Sequence, residues 1–380
     1  MSKRVLMLLV TAAMLVSIVA VGCTETVTPT TPTTPTTPTT PTTPTTPTQP
    51  TGQVIRWVGQ SALPAGNPPY EGLVRISDVI NKASGGRMVL DANPAGAVVP
   101  ATEEWKGINS GVLDYCAGGG SYMVSDMRFQ TVFSQCPGGM PPLPMMIFHR
   151  QVGYEVMNKW YDQKGFAFMD LGGGFHGLPE IWISTNEPLT GPADLNGMKM
   201  RASGDGGKIL EGMGVGTVFL PLGEVFEAMQ RGVIDAFECS CSAFNYSMGL
   251  QEAAQYNYLS PSRAPTEIYQ FLVSKDKYNE LPDDLKVLVE EAAVSEAIKY
   301  HVMLNEREAV AIEEMKAAGN VFEKLPASID SAFVAAAKQF YATEQNNFPE
   351  LKDYLSYYLA FANSWKELYG FPYDVMTSLS

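Results

Sequence analysis

Gly111-Val112-Leu113-Asp114 and Gly232-Val233-Ile234-Asp235 are one short phrase written twice, each time after a stretch of helical periodicity. In both, the glycine ends a helix and the apolar pair is expected to enter a sheet. Before the first copy, Val54-Ile55-Arg56-Trp57-Val58 reads as a strand, and Leu73, Ile76, Val79, Ile80 and Ala83 recur at helical spacing. Gly85-Gly86 then leads into a strand at Met88-Val89-Leu90, and a helix follows near Glu103–Asn109. Around the second copy, Met198–Ala202 and Val218-Phe219-Leu220 read as strands, with helices from Gly207 to Met213 and from Gly223. Alternating strands and helices predict an α/β fold of two similar lobes, with parallel or mixed sheets and a ligand crevice at the strands' carboxyl ends. The last third is helical: Pro282 opens a long helix that ends near Gly319, and aromatic Leu351–Leu368 is another.

The chain has 40 acidic and 26 basic residues in 380, a formal charge of −14, and 45% hydrophobic residues. Such a chain can bury a large core, and it lacks the basic stripe that nucleic-acid binding requires. Lys3 and Arg4 precede an apolar run from Val5 to Val21, and Ala20-Val21-Gly22-Cys23 resembles a lipobox. Residues 1–23 are therefore expected to be a lipoprotein signal peptide with lipidation at Cys23; an uncleaved membrane anchor is the alternative. Either places the remainder outside the cytoplasm, periplasmic or at the cell surface. Residues 24–53 are rich in Thr and Pro, and proline at every third position excludes helix and sheet, so an extended stalk is expected.

No catalytic constellation emerges. Gly-X-Ser-X-Gly, a Walker loop and His-Glu-X-X-His are all absent, and only His149, His176 and His301 are available for imidazole chemistry. Gly118-Gly119-Gly120 and Gly172-Gly173-Gly174 read as tight turns after strands. Cys116, Cys136, Cys239 and Cys241 are too scattered for a disulfide framework or a zinc site, and read as buried small hydrophobes. The expectation is a protein that is not an enzyme.

Pro192-Ala193-Asp194-Leu195-Asn196-Gly197-Met198-Lys199-Met200-Arg201 resembles the P-x-D-L-x-G-x-K-x-R signature of the extracytoplasmic solute receptors of tripartite ATP-independent periplasmic (TRAP) transporters. Gln230–Glu238, Leu222–Val225, Leu281–Leu285 and Ser84–Arg87 continue the resemblance, which runs from about Val54 to Phe371. It implies a two-lobed periplasmic-binding-protein-like fold: lobe I over 54–178 with 266–305 returning to it, and lobe II over 179–265 with the helical 306–380 packed on it. It implies capture of a small organic acid, a monocarboxylate or a 2-oxo or hydroxy acid, by hinge closure and delivery to a TRAP membrane permease. A receptor for another importer or a sensor, and a secreted enzyme on the same scaffold, stay open as alternatives.

The resemblance makes Arg201 the grip on the ligand carboxylate, a single buried positive charge suited to bidentate pairing; a structural salt bridge is the bland alternative. Glu238 matches the acid that, in the branch binding 2-oxo acids and monocarboxylates, helps hold a Na⁺ or Ca²⁺ bridging to the ligand. Cys239 replaces that branch's aromatic residue and could still offer a backbone carbonyl, and Glu180 falls near the branch's amide ligand. Glu238, Cys239 and Glu180 are thus the candidate metal set; alternatively Glu238 accepts a hydrogen bond from the ligand. Asn245, Trp182 and Tyr122 complete the candidate ligand-binding residues, with Phe237 as a further wall and Phe175-His176 at an expected hinge crossing. The same branch leaves open a homodimer through the aromatic C-terminal helix.

Overall fold

The structure, a computed structural model, describes residues 53–369. The expected signal peptide, lipidated Cys23 and the Thr/Pro run through Thr51 lie outside the described residues. β1 (Ile55–Ser61) is flanked by β2 (Met88–Asn93) and β3 (Tyr115–Gly119), both parallel to it. Parallel neighbours need a crossover, and the helix Pro68–Ala83 supplies the first. It buries Leu73, Ile76 and Ile80, whereas Val79 and Ala83 face outward. Two later strands, β10 (Ile268–Ser274) and β4 (Phe168–His176), extend this sheet antiparallel in the order β2-β1-β3-β10-β4.

The second sheet runs β11-β9-β5-β8-β6-β7 and is likewise mixed. Its strands are β5 (Ile181–Thr185), β6 (Lys199–Arg201), β7 (Gly216–Val218), β8 (Ala236–Phe237), β9 (Tyr256–Leu259) and β11 (Val321–Lys324). β6, β7 and β8 are parallel, and β5 runs antiparallel to both β8 and β9. β7 lies two residues earlier than the expected strand, so Phe219 and Leu220 fall just beyond it.

The repeated phrase has a structural meaning that differs from the expected one. Val112 and Val233 are more than half exposed, and only Leu113 and Ile234 enter the core. The strands begin later, at Tyr115 and Ala236. What the two copies share is the aspartate. Asp114 accepts a hydrogen bond from the Val58 amide (2.8 Å), and Asp235 accepts one from the Lys199 amide (2.9 Å). Each also donates its own amide to the same neighbour's carbonyl. The carboxylate thus holds the start of a parallel pair in register in both sheets.

Gly172-Gly173-Gly174 is not a turn: it lies inside β4. A Cβ on Gly173 would come within 2.4 Å of the Ala293 backbone, so the long helix Asp283–Ala317 packs directly on strand backbone there. Gly118 and Gly119 close β3, and a short 3₁₀ turn starts at Gly120.

The chain passes from the first sheet to the second through 177–180 and returns through 260–267. These crossovers are bonded to each other, Gly177 N–H to the Glu267 carbonyl at 2.7 Å and Glu180 N–H to the Ala264 carbonyl at 3.0 Å. His176 is the last residue of β4, buried and adjacent to the first crossover. Helix Ala327–Asn347 lies on helix Gly204–Gly212 of the second lobe, while helix Pro349–Tyr369 packs on helices between β3 and β4. There Tyr354 stacks on Phe129 at 5.2 Å and Tyr358 meets Phe148 edge-on at 5.5 Å. Tyr354 and Tyr358 of the last helix are therefore spent within the chain, while Tyr357 stays exposed. Among the described residues no helix is long and apolar enough to cross a membrane.

Candidate functional site

β6 and β8 run parallel and end together, which sets Arg201 beside Phe237 and places Glu238 immediately after it, its amide bonded to the Arg201 carbonyl. Both charged groups thus stand at carboxyl ends of adjacent parallel strands, where such sheets leave a crevice. Arg201 is 2% exposed. Its Nε donates to the Leu220 carbonyl (3.1 Å), and its Nη1 to the carbonyl (2.8 Å) and carboxylate (3.1 Å) of Glu238. Among the described residues no acceptor takes up its Nη2. Burial works against the guanidinium charge, and the Glu238 carboxylate holds it in place.

Arg201 is not the single buried positive charge expected. Arg263, on the second crossover, is equally buried and donates to four oxygens. Its Nη2 reaches Glu180 Oε2 at 2.5 Å and the Ile181 carbonyl at 3.0 Å, its Nη1 reaches Glu238 Oε2 at 3.1 Å, and its Nε reaches the Trp182 carbonyl at 3.0 Å. Glu238 therefore bridges two arginines, and its other oxygen also accepts from the amide (2.6 Å) and hydroxyl (3.0 Å) of Ser203. Glu180, on the first crossover, takes its remaining bond from Gln135 Nε2 at 2.5 Å. Burial lifts the Glu180 carboxyl above the usual carboxylate range, and Arg263 opposes the rise.

A third buried acid, Glu267, accepts hydrogen bonds from Tyr269 and Ser240. Burial, strengthened by the nearby Glu238, pushes it up to about 7 against the pull of those two bonds. In this cluster the two arginines are paired with two of the three acids, Arg201 with Glu238 and Arg263 with both Glu180 and Glu238.

Above Arg201 the cleft is shut by aromatic rings. Phe219 lies over the guanidinium at 5.8 Å, and Tyr122 of the first lobe meets Phe219 edge-on at 6.0 Å. Outside them opens a cavity of about 380 Å³ lined from both lobes, among others by Ser121, Tyr122, Ser203, Lys208 and Phe219. Arg128 joins Asp205 of helix Gly204–Gly212 at 2.8 Å, a buried ion pair between the lobes that also draws in Glu344 (2.9 Å).

Of the residues expected from sequence, Arg201 and Glu238 pair directly, Glu180 joins them through Arg263, and Tyr122 meets the Phe219 ring that lies over Arg201. Trp182 does not line the cleft: its indole donates to Ser262 Oγ (3.1 Å) and packs on Phe333, so only its carbonyl serves the site. Asn245 spends its amide on the Ser240 backbone, bracing the turn that carries Cys239. The Cys239 thiol is buried, and burial pushes its pKa well up. Phe237 lies in the core. Sequence reasoning missed Arg263, Glu267, Gln135, Ser203 and Phe219. One signal was available: Arg263 and Glu267 are the only charged residues between Asn257 and Ser274, a stretch too apolar to hold them on a surface.

A family model described as DctP, bacterial extracellular solute-binding protein, family 7, matches residues 58–347. The chain is 23% identical over 274 residues to a monocarboxylate 2-oxoacid-binding periplasmic protein of Nostoc, covering 67% of this chain and 69% of that protein. It superposes with a TM-score of 0.78 on a TRAP periplasmic solute binding protein from Colwellia psychrerythraea with bound calcium and pyruvate, at 21% identity, covering 83% of this chain and 98% of that one. A TRAP periplasmic solute binding protein from Pseudoalteromonas atlantica with bound sodium and pyruvate gives 0.77 at 20% identity, covering 83% and 97%. At these identities the structural likeness establishes the two-lobed fold.

Related structures thus hold calcium or sodium together with their ligand. In this chain Glu180 and Glu238, two of the three groups expected to hold such an ion, do meet around a cation, and that cation is the Arg263 guanidinium. With their oxygens so engaged, the pair does not fit an inorganic ion. Among the described residues no group of three or more His, Cys, Asp or Glu side chains is arranged to bind a metal.

Proposed function

We infer the function from the premise that the chain belongs to the bacterial extracellular solute-binding proteins of family 7. Its work is reversible capture of a small organic acid between two lobes and presentation of that acid to a TRAP membrane permease, with no bond made or broken. The relatives bound to pyruvate support this ligand class, as does the 2-oxoacid-binding protein of Nostoc. The observation that carries the reading is the Nη2 of Arg201, which no acceptor among the described residues takes up, on a guanidinium covered by Phe219 where strands of the second lobe end, with Tyr122 edge-on to that ring. A carboxylate there gains a charge-assisted hydrogen bond at low local dielectric, and it does so only when the first lobe covers it. That difference between open and closed forms is what lets a ligand drive closure.

Titration calorimetry with pyruvate, lactate and picolinate tests the ligand class, with Arg201→Lys as the control. Lysine keeps the charge but loses the fork, so affinity should fall at least tenfold while the chain stays folded. Unchanged affinity in that variant refutes the role of Arg201. The reading also places the body outside the cytoplasmic membrane, tethered through acylated Cys23. Mass spectrometry of the amino-terminal peptide from membranes, with and without Cys23→Ser, tests that tether.

A further inference from the structure

Arg263 is held like an ion in a coordination shell. Its three nitrogens face two carboxylate oxygens and two backbone carbonyls, all within 3.1 Å. These oxygens come from two separate places: the consecutive residues Glu180, Ile181 and Trp182 at the start of β5, and Glu238 after β8. Two carboxylates plus carbonyls are the donor set that calcium or sodium selects, and a guanidinium satisfies it with N–H donors instead.

We propose that the guanidinium of Arg263 is the permanent cation of this site, taking the place of a bound inorganic ion, so that organic-acid binding here is independent of calcium and sodium. The proposal deepens the reading of the cleft as an organic-acid site. An inorganic ion that used the Glu180 and Glu238 oxygens would displace Arg263 from the two carboxylates that neutralise it, and stripping a buried guanidinium of its partners is costly. Arg263 also does something a free ion does not. Being covalently part of the second crossover, it ties that crossover to Glu180 on the first and to Glu238 of the second lobe, and through Glu238 it orients Arg201. It is therefore a positioning residue that acts on the ligand through Glu238 and Arg201.

The test uses the chain stripped of metal by chelator dialysis. Calcium titrated alone into the stripped wild type should give no saturable heat and no shift in Tm, and pyruvate affinity should be the same within about twofold with chelator, calcium or sodium present. Arg263→Ala opens the oxygen set, and calcium alone should then bind at a Kd on the order of 10⁻⁵–10⁻³ M and raise Tm by several degrees. Stoichiometric calcium binding by the wild type overturns the proposal. So does an Arg263→Ala chain that calcium fails to stabilise, whether or not that chain folds without it. Absence of pyruvate binding under every condition counts against the ligand class alone, because the calcium titrations are read without pyruvate.

Discussion

Glu238→Gln isolates the residue on which the buried charges turn. The substitution conserves volume and removes one charge. In the wild type one carboxylate oxygen accepts from Arg201 and Ser203, and the other from Arg263. A glutamine has one acceptor to offer. If its oxygen faces Ser203 and Arg201, its amide hydrogens point at Arg263 Nη1 across 3.1 Å; reversed, they point at the Ser203 amide across 2.6 Å. Either way a donor meets a donor and a buried positive charge loses its counter-ion. Removing one partner of a buried pair costs about 3–5 kcal/mol. For a body of this size each kcal/mol moves Tm by roughly 1.5 °C, so the midpoint should fall by about 5–7 °C in differential scanning calorimetry. A second signature separates charge loss from generic damage. Acetate at high concentration should restore part of the loss in the variant and do little for the wild type, because the variant's cluster carries an unmatched positive charge. A midpoint within about 1 °C of the wild type, with no acetate effect, refutes the idea that Glu238 neutralises both arginines.

Three further outcomes follow from the same geometry. Asp205→Asn leaves Arg128 with only Glu344 and weakens the buried link between the lobes, so small-angle scattering of the ligand-free chain should show a larger radius of gyration; an unchanged radius excludes a role for that pair in closure. Glu267 titrates near 7 when folded against about 4.5 when unfolded, so between those values the unfolded state releases its proton first and stability falls as pH rises, levelling off above about 7. Tm measured at pH 5.5 and 7.5 should therefore drop with pH, and Glu267→Gln should flatten the slope without abolishing it, since Glu104 is also pushed up to about 7 by burial; identical slopes in variant and wild type reject the assignment. Gly173→Ala forces a methyl against the Ala293 backbone and should destabilise by at least about 3 kcal/mol, read as a lower midpoint in chemical denaturation; a neutral effect contradicts the direct packing of the long helix on β4.

The strands and helices were legible where local pattern and tertiary demand agree. Leu73, Ile76 and Ile80 form a helical stripe because one side of that helix covers a parallel sheet, and the motifs that carry Arg201 and Glu238 marked both residues, though not their pairing with each other. Legibility failed where a residue answers to something distant in sequence. Gly172–Gly174 looked like a turn because glycine usually is one; its reason is Ala293, on a helix that arrives more than a hundred positions later. Val112 and Val233 looked like the first residues of strands, yet the shared carboxylates of Asp114 and Asp235 fix the strand starts behind them. Trp182 looked like a cleft wall, but strand alternation turned its indole toward Phe333 and left only its carbonyl on the functional side. Arg263 is the extreme case. A lone arginine between Ser262 and Ala264 carries no motif, and its role appears only when the two crossovers are laid side by side.

That placement has a consequence for closure. Glu180 and Arg263 sit on the two crossovers, Glu238 sits in the second lobe, and Gln135 reaches Glu180 from the segment between β3 and β4. The charges that prepare Arg201 are therefore the charges that hold the hinge strands together, and each arginine is already paired with a carboxyl group before any ligand arrives. A ligand carboxylate meets an arginine already paired with Glu238, not a bare cation, so Coulomb attraction at long range contributes little to capture. What remains to favour the closed form is short-range: the hydrogen bond to Arg201 Nη2, contact with Phe219 and Tyr122, and the inter-lobe pair of Arg128 with Asp205. Affinity should accordingly depend weakly on ionic strength, since buried hydrogen bonds are poorly screened and the arginine that meets the ligand is already paired. Pyruvate titrations from low to physiological salt measure this directly. A Kd that weakens tenfold or more over that range would mean that an unbalanced positive charge faces the cleft after all, and that the ion pairs seen around Glu238 are not the arrangement the ligand meets.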